Sequence, residues 1–136
     1  MRPGTGDPVL VTGATGFTGG HLARGLAARN FRVRVLARDP EKARDLTTAG
    51  IEIAAGDLTS PASLECAVQG IATVYNVAAI YREAGVPASA YRAVNAEAVG
   101  ALIRAAARAG VRRVVHCSTV GVHGDVENPP ANEDAP

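Results

Sequence analysis

Three glycines in the spacing Gly13-x-x-Gly16-x-x-Gly19 follow an apolar run, Pro8 to Val11, and lead into a stretch of helical periodicity. The apolar run reads as a buried strand. Beyond the glycines, Leu22, Ala23, Leu26 and Ala27 recur at helical spacing, which predicts a helix over Phe17 to Asn30. A strand that turns through glycines into a helix has few ways to fold. Gly13 allows a tight turn, Gly16 lets backbone N–H groups approach a ligand, and Gly19 lets the helix pack closely on the strand. The ligand such a turn favours is an anion, because a helix N-terminus presents unpaired N–H groups and the positive end of its dipole. Pyrophosphate is the expected anion in this context, although a glycine turn also serves as a plain connection.

Strand and helix patterns alternate through the rest of the chain. Further strands are expected at Arg32–Ala37, Ile51–Ala55, Thr73–Val77 and Arg113–Cys117, and further helices at Pro40–Ala49, Pro61–Gln69 and Ser89–Ala109. Ser60 is a natural N-cap for Pro61, and Gly50, Gly70 and Gly110 are stop signals. This alternation predicts an α/β fold, a doubly wound parallel sheet with helices on both faces. Right-handed crossovers give strand order 3-2-1-4-5, with the ligand crevice beyond the carboxyl ends of strands one and four. Residues 1–7 read as a flexible leader and 8–124 as the nucleotide-binding domain. The acidic, proline-rich run 125–136 has no face to bury and reads as a loop.

Composition narrows the function classes. At 136 residues the chain is one ordinary domain, and 47% hydrophobic content with net charge +1 gives no reason to expect nucleic acid. No apolar run approaches the roughly 20 residues of a membrane span, and no signal peptide is visible, so the expected location is the cytoplasm. Cys66 and Cys117 make neither a disulfide framework nor a metal pattern and are expected as small core residues.

The run Thr12-Gly13-Ala14-Thr15-Gly16-Phe17-Thr18-Gly19 resembles the signature of the short-chain dehydrogenase/reductase superfamily, in the spacing of its extended, epimerase/dehydratase branch. The resemblance implies a Rossmann-like domain, truncated relative to the family, that binds a dinucleotide through Gly13, Thr15, Gly16, Phe17 and Gly19. It also implies contacts from Asp57 to the adenine amino group, with Leu58 beside it. Ala78 and Ala79 would let the backbone pass close to the cofactor, and Asn95 would support the site. After the second strand, Ala37 stands where NAD-preferring relatives carry an acid, and Arg38 follows. Arg38 is therefore expected to bind a 2′-phosphate or to stack on adenine, favouring NADP. Asp39, about 20 residues beyond the glycines, keeps NAD open.

The segment Val115-His116-Cys117-Ser118-Thr119 resembles the end of the family's catalytic strand. Thr119, with Ser118 beside it, aligns with the hydroxyl that orients the substrate oxygen, and His123 stands where the family carries tyrosine. His116 is expected to pack in or near the strand. The family's base, the tyrosine of Tyr-x-x-x-Lys, is missing: Tyr75, Tyr81 and Tyr91 are followed four residues later by Ala79, Gly85 and Asn95. The expectation is the cofactor-binding portion of an NAD(P)-dependent epimerase, dehydratase or reductase, inactive alone, with its tyrosine and substrate-binding part beyond Pro136. The alternative is a non-catalytic dinucleotide-binding or redox-sensing module. Expected partners are the cofactor, a small-molecule substrate in the full-length protein, and a second copy in a homodimer, but neither nucleic acid nor membrane. The substrate classes the resemblance implies are nucleotide sugars and, close behind, ketone or flavonoid-type compounds.

Overall fold

Residues 6–126 and 129–134 are described by the computed structural model, apart from the side chain of His123. The expected strand segments form β1 (Pro8–Thr12), β2 (Arg32–Ala37), β3 (Glu52–Ala55), β4 (Thr73–Asn76) and β5 (Arg113–His116). Every neighbouring pair is parallel, and the sheet order is β3-β2-β1-β4-β5, the order that right-handed crossovers predict. The register sets Thr12 beside Leu36 and Asn76, and Asn76 beside His116. The carboxyl ends of four strands therefore lie level along one edge.

β1 is central and buried on both faces, with Val9, Leu10 and Val11 inaccessible to solvent. Leu10 packs with Leu64 and Ala67 of α2 (Pro61–Ala67) and with Leu102 and Ala105 of α4 (Ala98–Arg108). Val9 and Val11 pack the other way, with Ala23 and Leu26 of α1 (Phe17–Ala27) and with Ala43 and Leu46 of a helical segment at Pro40–Ala49. A run without polar alternation is what a strand covered on both faces requires. Each large apolar side chain buried this way contributes about 1.5–3 kcal/mol.

Local signals fix the connections. The Ser60 hydroxyl accepts from Ser63 N at 3.3 Å, Pro61 opens α2, and Gly70 takes a left-handed φ of 69° after the helix. Arg34 on β2 donates to the carbonyls of Ala67 and Gln69, both at 2.9 Å, while its Nε donates to Glu52 at 2.8 Å. A cation thus satisfies the carbonyl end of α2. Gly6 and Asp7, read as part of a loose leader, are tied down: Gly6 N donates to Asn30 O at 3.0 Å, and Asp7 pairs with Arg112 at 2.6 Å.

The structure departs from the sequence reading in several places. Pro40–Ala49 is a 3-10 helix, and the Thr47 and Thr48 hydroxyls donate to carbonyls three residues back, at 2.7 Å each. β4 ends at Asn76 rather than Val77. The expected single helix Ser89–Ala109 is broken into α3 (Ala88–Arg92), a π turn (Ala93–Glu97) and α4. Both cysteines are exposed, not core residues. Cys66 lies on the outward side of α2, whose buried residues are Leu64 and Ala67, and Cys117 follows the edge strand β5, one of whose sides no strand covers. Residues 1–5, 127, 128, 135 and 136, which belong to the expected leader and terminal loop, lie outside the described residues.

Candidate functional site

A cleft of about 750 Å³ opens along the carboxyl edge of the sheet, within the size range of small-molecule and cofactor sites. Its floor is main chain. Gly13 has a φ of 72°, and a Cβ there would stand 2.7 Å from Ala78 N. A Cβ on Gly19 would stand 2.2 Å from Gly13 O. Only glycine lets the β1 turn, the start of α1 and the chain after β4 meet this closely. Gly16 is the N-cap of α1; no side chain caps it, and the first turn carries no acid. The first N–H groups of α1 are thus left for an anion.

One wall follows β2. Leu36, Ala37, Arg38, Asp39 and Lys42 line it. The Asp39 carboxylate accepts from Glu41 N at 3.1 Å and caps the 3-10 helix. The next wall follows β3, with Gly56, Asp57, Leu58 and Thr59. Asp57 Oδ1 accepts from the Thr59 hydroxyl at 2.7 Å and from Thr59 N at 2.8 Å. Those two bonds hold the Asp57 carboxyl below the ordinary carboxylate range. Burial opposes them, and the charge of Arg38 adds a weaker pull in their direction.

The far end of the cleft is built on a buried polar chain. Thr12 Oγ1 accepts from Val77 N and Ala78 N, each at 3.2 Å, and donates to Asn76 Oδ1. Asn76 Nδ2 lies 3.0 Å from His116 Nδ1. The Thr12 hydroxyl has one proton, and with two N–H groups pointing at its oxygen that proton goes to Asn76 Oδ1. The Asn76 amide therefore turns its N–H toward His116, whose Nδ1 accepts. The chain after β4 is held from the other side by Asn95 in the π turn. Its Nδ2 donates to Ile80 O at 2.8 Å, and its Oδ1 accepts from Ile80 N at 2.9 Å.

Gly13, Thr15, Gly16, Phe17, Gly19, Arg38, Asp57, Leu58, Ala78 and Ala79 all line the cleft. Asn95, expected to support the site, is not in the lining and reaches the cleft through Ile80, which is. Ser118 and Thr119 also lie outside the lining, and Thr119 Oγ1 accepts from Gly121 N at 3.2 Å, capping a 3-10 turn at Val120–His123. Sequence reasoning missed Lys42 and Thr59 as cleft residues and Thr12 and Asn76 as its internal struts. Asp57-Leu58-Thr59 carries the signal for the first pair of bonds, an aspartate bonding two residues on. A threonine closing a buried strand is the signal for Thr12.

Residues 13–135 match the family model described as NAD(P)H-binding. The chain belongs to the NAD(P)H-binding family of short-chain dehydrogenases/reductases. As an NAD(P)H-binding protein it is 38% identical over 85% of its length to sterol demethylase protein B of Methylococcus capsulatus, and 32% identical over 86% to an NAD(P)H azoreductase of Xenophilus azovorans. It covers 35% and 37% of those proteins, so it spans about a third of the relatives it matches. Among solved structures, a short-chain dehydrogenase/reductase superfamily protein of Agrobacterium tumefaciens with bound NAD superposes with TM-score 0.82 at 30% identity, over 95% of this chain and 38% of that one.

The cleft of this NAD(P)H-binding domain fits a dinucleotide on its own geometry. A Cβ-free cradle and open α1 N–H groups suit the pyrophosphate, and walls at both ends suit two nucleoside halves. Among the described residues, no group of three or more His, Cys, Asp or Glu is placed to hold a metal, and no helix is long and apolar enough to cross a membrane.

Proposed function

We propose that this domain holds NADP(H) for a reductase or epimerase of the extended branch, in which a hydride passes between the nicotinamide and a substrate carbinol carbon. The observation that carries the NADP preference is the wall after β2. Arg38 and Lys42 both line the cleft, Ala37 stands where a ribose-binding acid would, and one oxygen of the Asp39 carboxylate caps the 3-10 helix. A guanidinium and an ammonium on one rim suit a 2′-phosphate, and their two positive charges outweigh the single Asp39 carboxylate beside them. Asp57 and Leu58 take the adenine, and Ala78 and Ala79 give the nicotinamide half its close approach.

The bound cofactor supplies or accepts the hydride. The chain's own residues bind and orient. The α1 N-terminus and the glycine cradle hold the pyrophosphate, and the Thr12 strut fixes the backbone of Val77 and Ala78 against it. Thr119, with Ser118 beside it, is the hydroxyl that orients the substrate oxygen, and the proton-moving base belongs to protein outside residues 1–136. Relatives named as an azoreductase, a ceramide reductase and a putative dihydroflavonol 4-reductase favour reduction of a conjugated or lipid-like substrate over nucleotide-sugar epimerisation. The free cysteines are consistent with a reducing, cytoplasmic setting.

The test is a calorimetric titration with NADPH and NADH. NADPH binds more tightly, and Arg38→Ala weakens it by about ten- to hundredfold, the worth of a charged hydrogen bond, while NADH is unaffected. An Arg38→Ala protein with unchanged NADPH affinity refutes the preference. A non-catalytic binding module is the second reading, favoured by the position of Ser118 and Thr119 outside the cleft lining. In that case the full-length protein binds NADPH without oxidising it, and Thr119→Val leaves that binding unchanged.

A further inference from the structure

The segment after Ile80 is pinned with unusual economy. Asn95 holds both the N–H and the carbonyl of Ile80. Tyr91, one helical turn earlier, does the same for Glu83: its hydroxyl accepts from Glu83 N at 2.8 Å and donates to Glu83 O at 3.0 Å. Two side chains of one helical stretch thus clamp the backbone on either side of a dipeptide, Tyr81-Arg82. Between the clamps, Arg82 sits at a φ of 47°, a conformation that a long side chain rarely takes without being held there. The Tyr81 ring is 74% exposed, and the Arg82 guanidinium carbon lies 5.5 Å from its centroid. Among the described residues, Arg82 has no ion pair.

A guanidinium lodged over a ring keeps its edge N–H donors pointing outward, in the fork that matches a planar oxyanion. Tyr81 and Arg82 lie outside the cleft lining and follow directly on Ile80, which lines it on the β4 side of the sheet, across β1 from Arg38 and Lys42 after β2. In the reading above that is the nicotinamide end, where substrate meets cofactor. We infer that Tyr81 and Arg82 form a substrate-recognition lip, selecting substrates that carry a carboxylate or similar planar oxyanion beside a flat body. This assignment rests on the dinucleotide reading of the cleft. Tyr91 and Asn95 are positioning residues, and Arg82 is the group that touches the ligand.

The probe is benzoate, with neutral, isosteric benzamide as its control, titrated into the chain saturated with NADP+. Binding is followed through the Arg82 Nε–H resonance and the amide spectrum. Benzoate binds at least about tenfold more tightly than benzamide and shifts the Arg82 resonance. Arg82→Gln abolishes the preference, and Arg82→Lys, which keeps the charge but not the fork, retains part of it. Tyr91→Phe, which loosens one clamp, reduces the preference several-fold and leaves NADPH affinity unchanged. The amide spectra report whether each variant is folded. Equal affinity for the two probes, a preference that survives Arg82→Gln in a folded protein, or no benzoate binding to protein that binds NADPH overturns the lip alone. Failure to bind NADPH overturns the cofactor reading and the lip with it.

Discussion

Thr12 concentrates more of the site's architecture than any other single side chain. Its hydroxyl serves two backbone donors and one amide acceptor from a position that is 1% exposed. Thr12→Val keeps the shape and strands those partners. Unfolding in urea will show a loss of about 3 kcal/mol, the scale of leaving more than one buried polar group unpaired, whereas Thr12→Ser will lose under about 1.5 kcal/mol. A valine variant as stable as the parent contradicts the strut. Asp57 makes a prediction in pH. Its folded carboxyl titrates below the 3.8 of an unperturbed aspartate, so its contribution is complete above that value and disappears as pH falls through the lower, folded one. Asp57→Asn removes that contribution. The variant's deficit in stability at neutral pH will shrink as acid is added, and a deficit constant from neutrality to strong acid contradicts the assignment.

At the scale of elements, the π turn is the part that a sequence conceals. Glycines, proline and serine announce the ends of α1 and α2, because each changes backbone freedom or supplies a cap at a definite place. Strand β1 announces itself as a continuous apolar run and β2 as an Arg-Val alternation closing on Leu36-Ala37, and the strand order follows from the handedness of crossovers. Ala93 to Glu97 carries no such mark. An alanine-rich helix looks alike in any register, and the feature that sets this turn apart, the pair of bonds between Asn95 and Ile80, is tertiary. The cysteines were misjudged for a related reason: composition says how often a thiol is buried, but α2 orients Cys66 by its phase relative to Leu64 and Ala67. Asn95→Ala will leave the helix in place and release the loop. Hydrogen exchange at Ile80 N–H will accelerate by about ten- to hundredfold, with little change at Leu102, as expected for local rather than global opening. Uniform acceleration across α4 would instead mean that Asn95 supports the whole helix.

On the scale of the molecule, burial declines along the sheet from centre to edge. β1 is enclosed, while β5 is open, with Val115 42% exposed, and the residues after it leave Val120 88% and Val122 69% exposed. An edge strand with accessible valines is a template for pairing with another chain. Light scattering across a concentration series will therefore show the 136-residue chain's mean mass rising above that of a monomer. Val115→Lys will hold it at the monomer. A parent chain that stays monomeric throughout contradicts this.

The main-chain floor and side-chain rim of the cleft differ in how much substitution they can absorb. Where Gly13, Gly19 and Ala78 meet, a Cβ on either glycine would overlap main chain, so no larger residue enters that junction without moving backbone. Arg38, Lys42, Tyr81 and Arg82 stand on surface segments outside either apolar core. Exchanging Arg38 or Lys42 alters the charge at the cleft's rim while both cores stay packed.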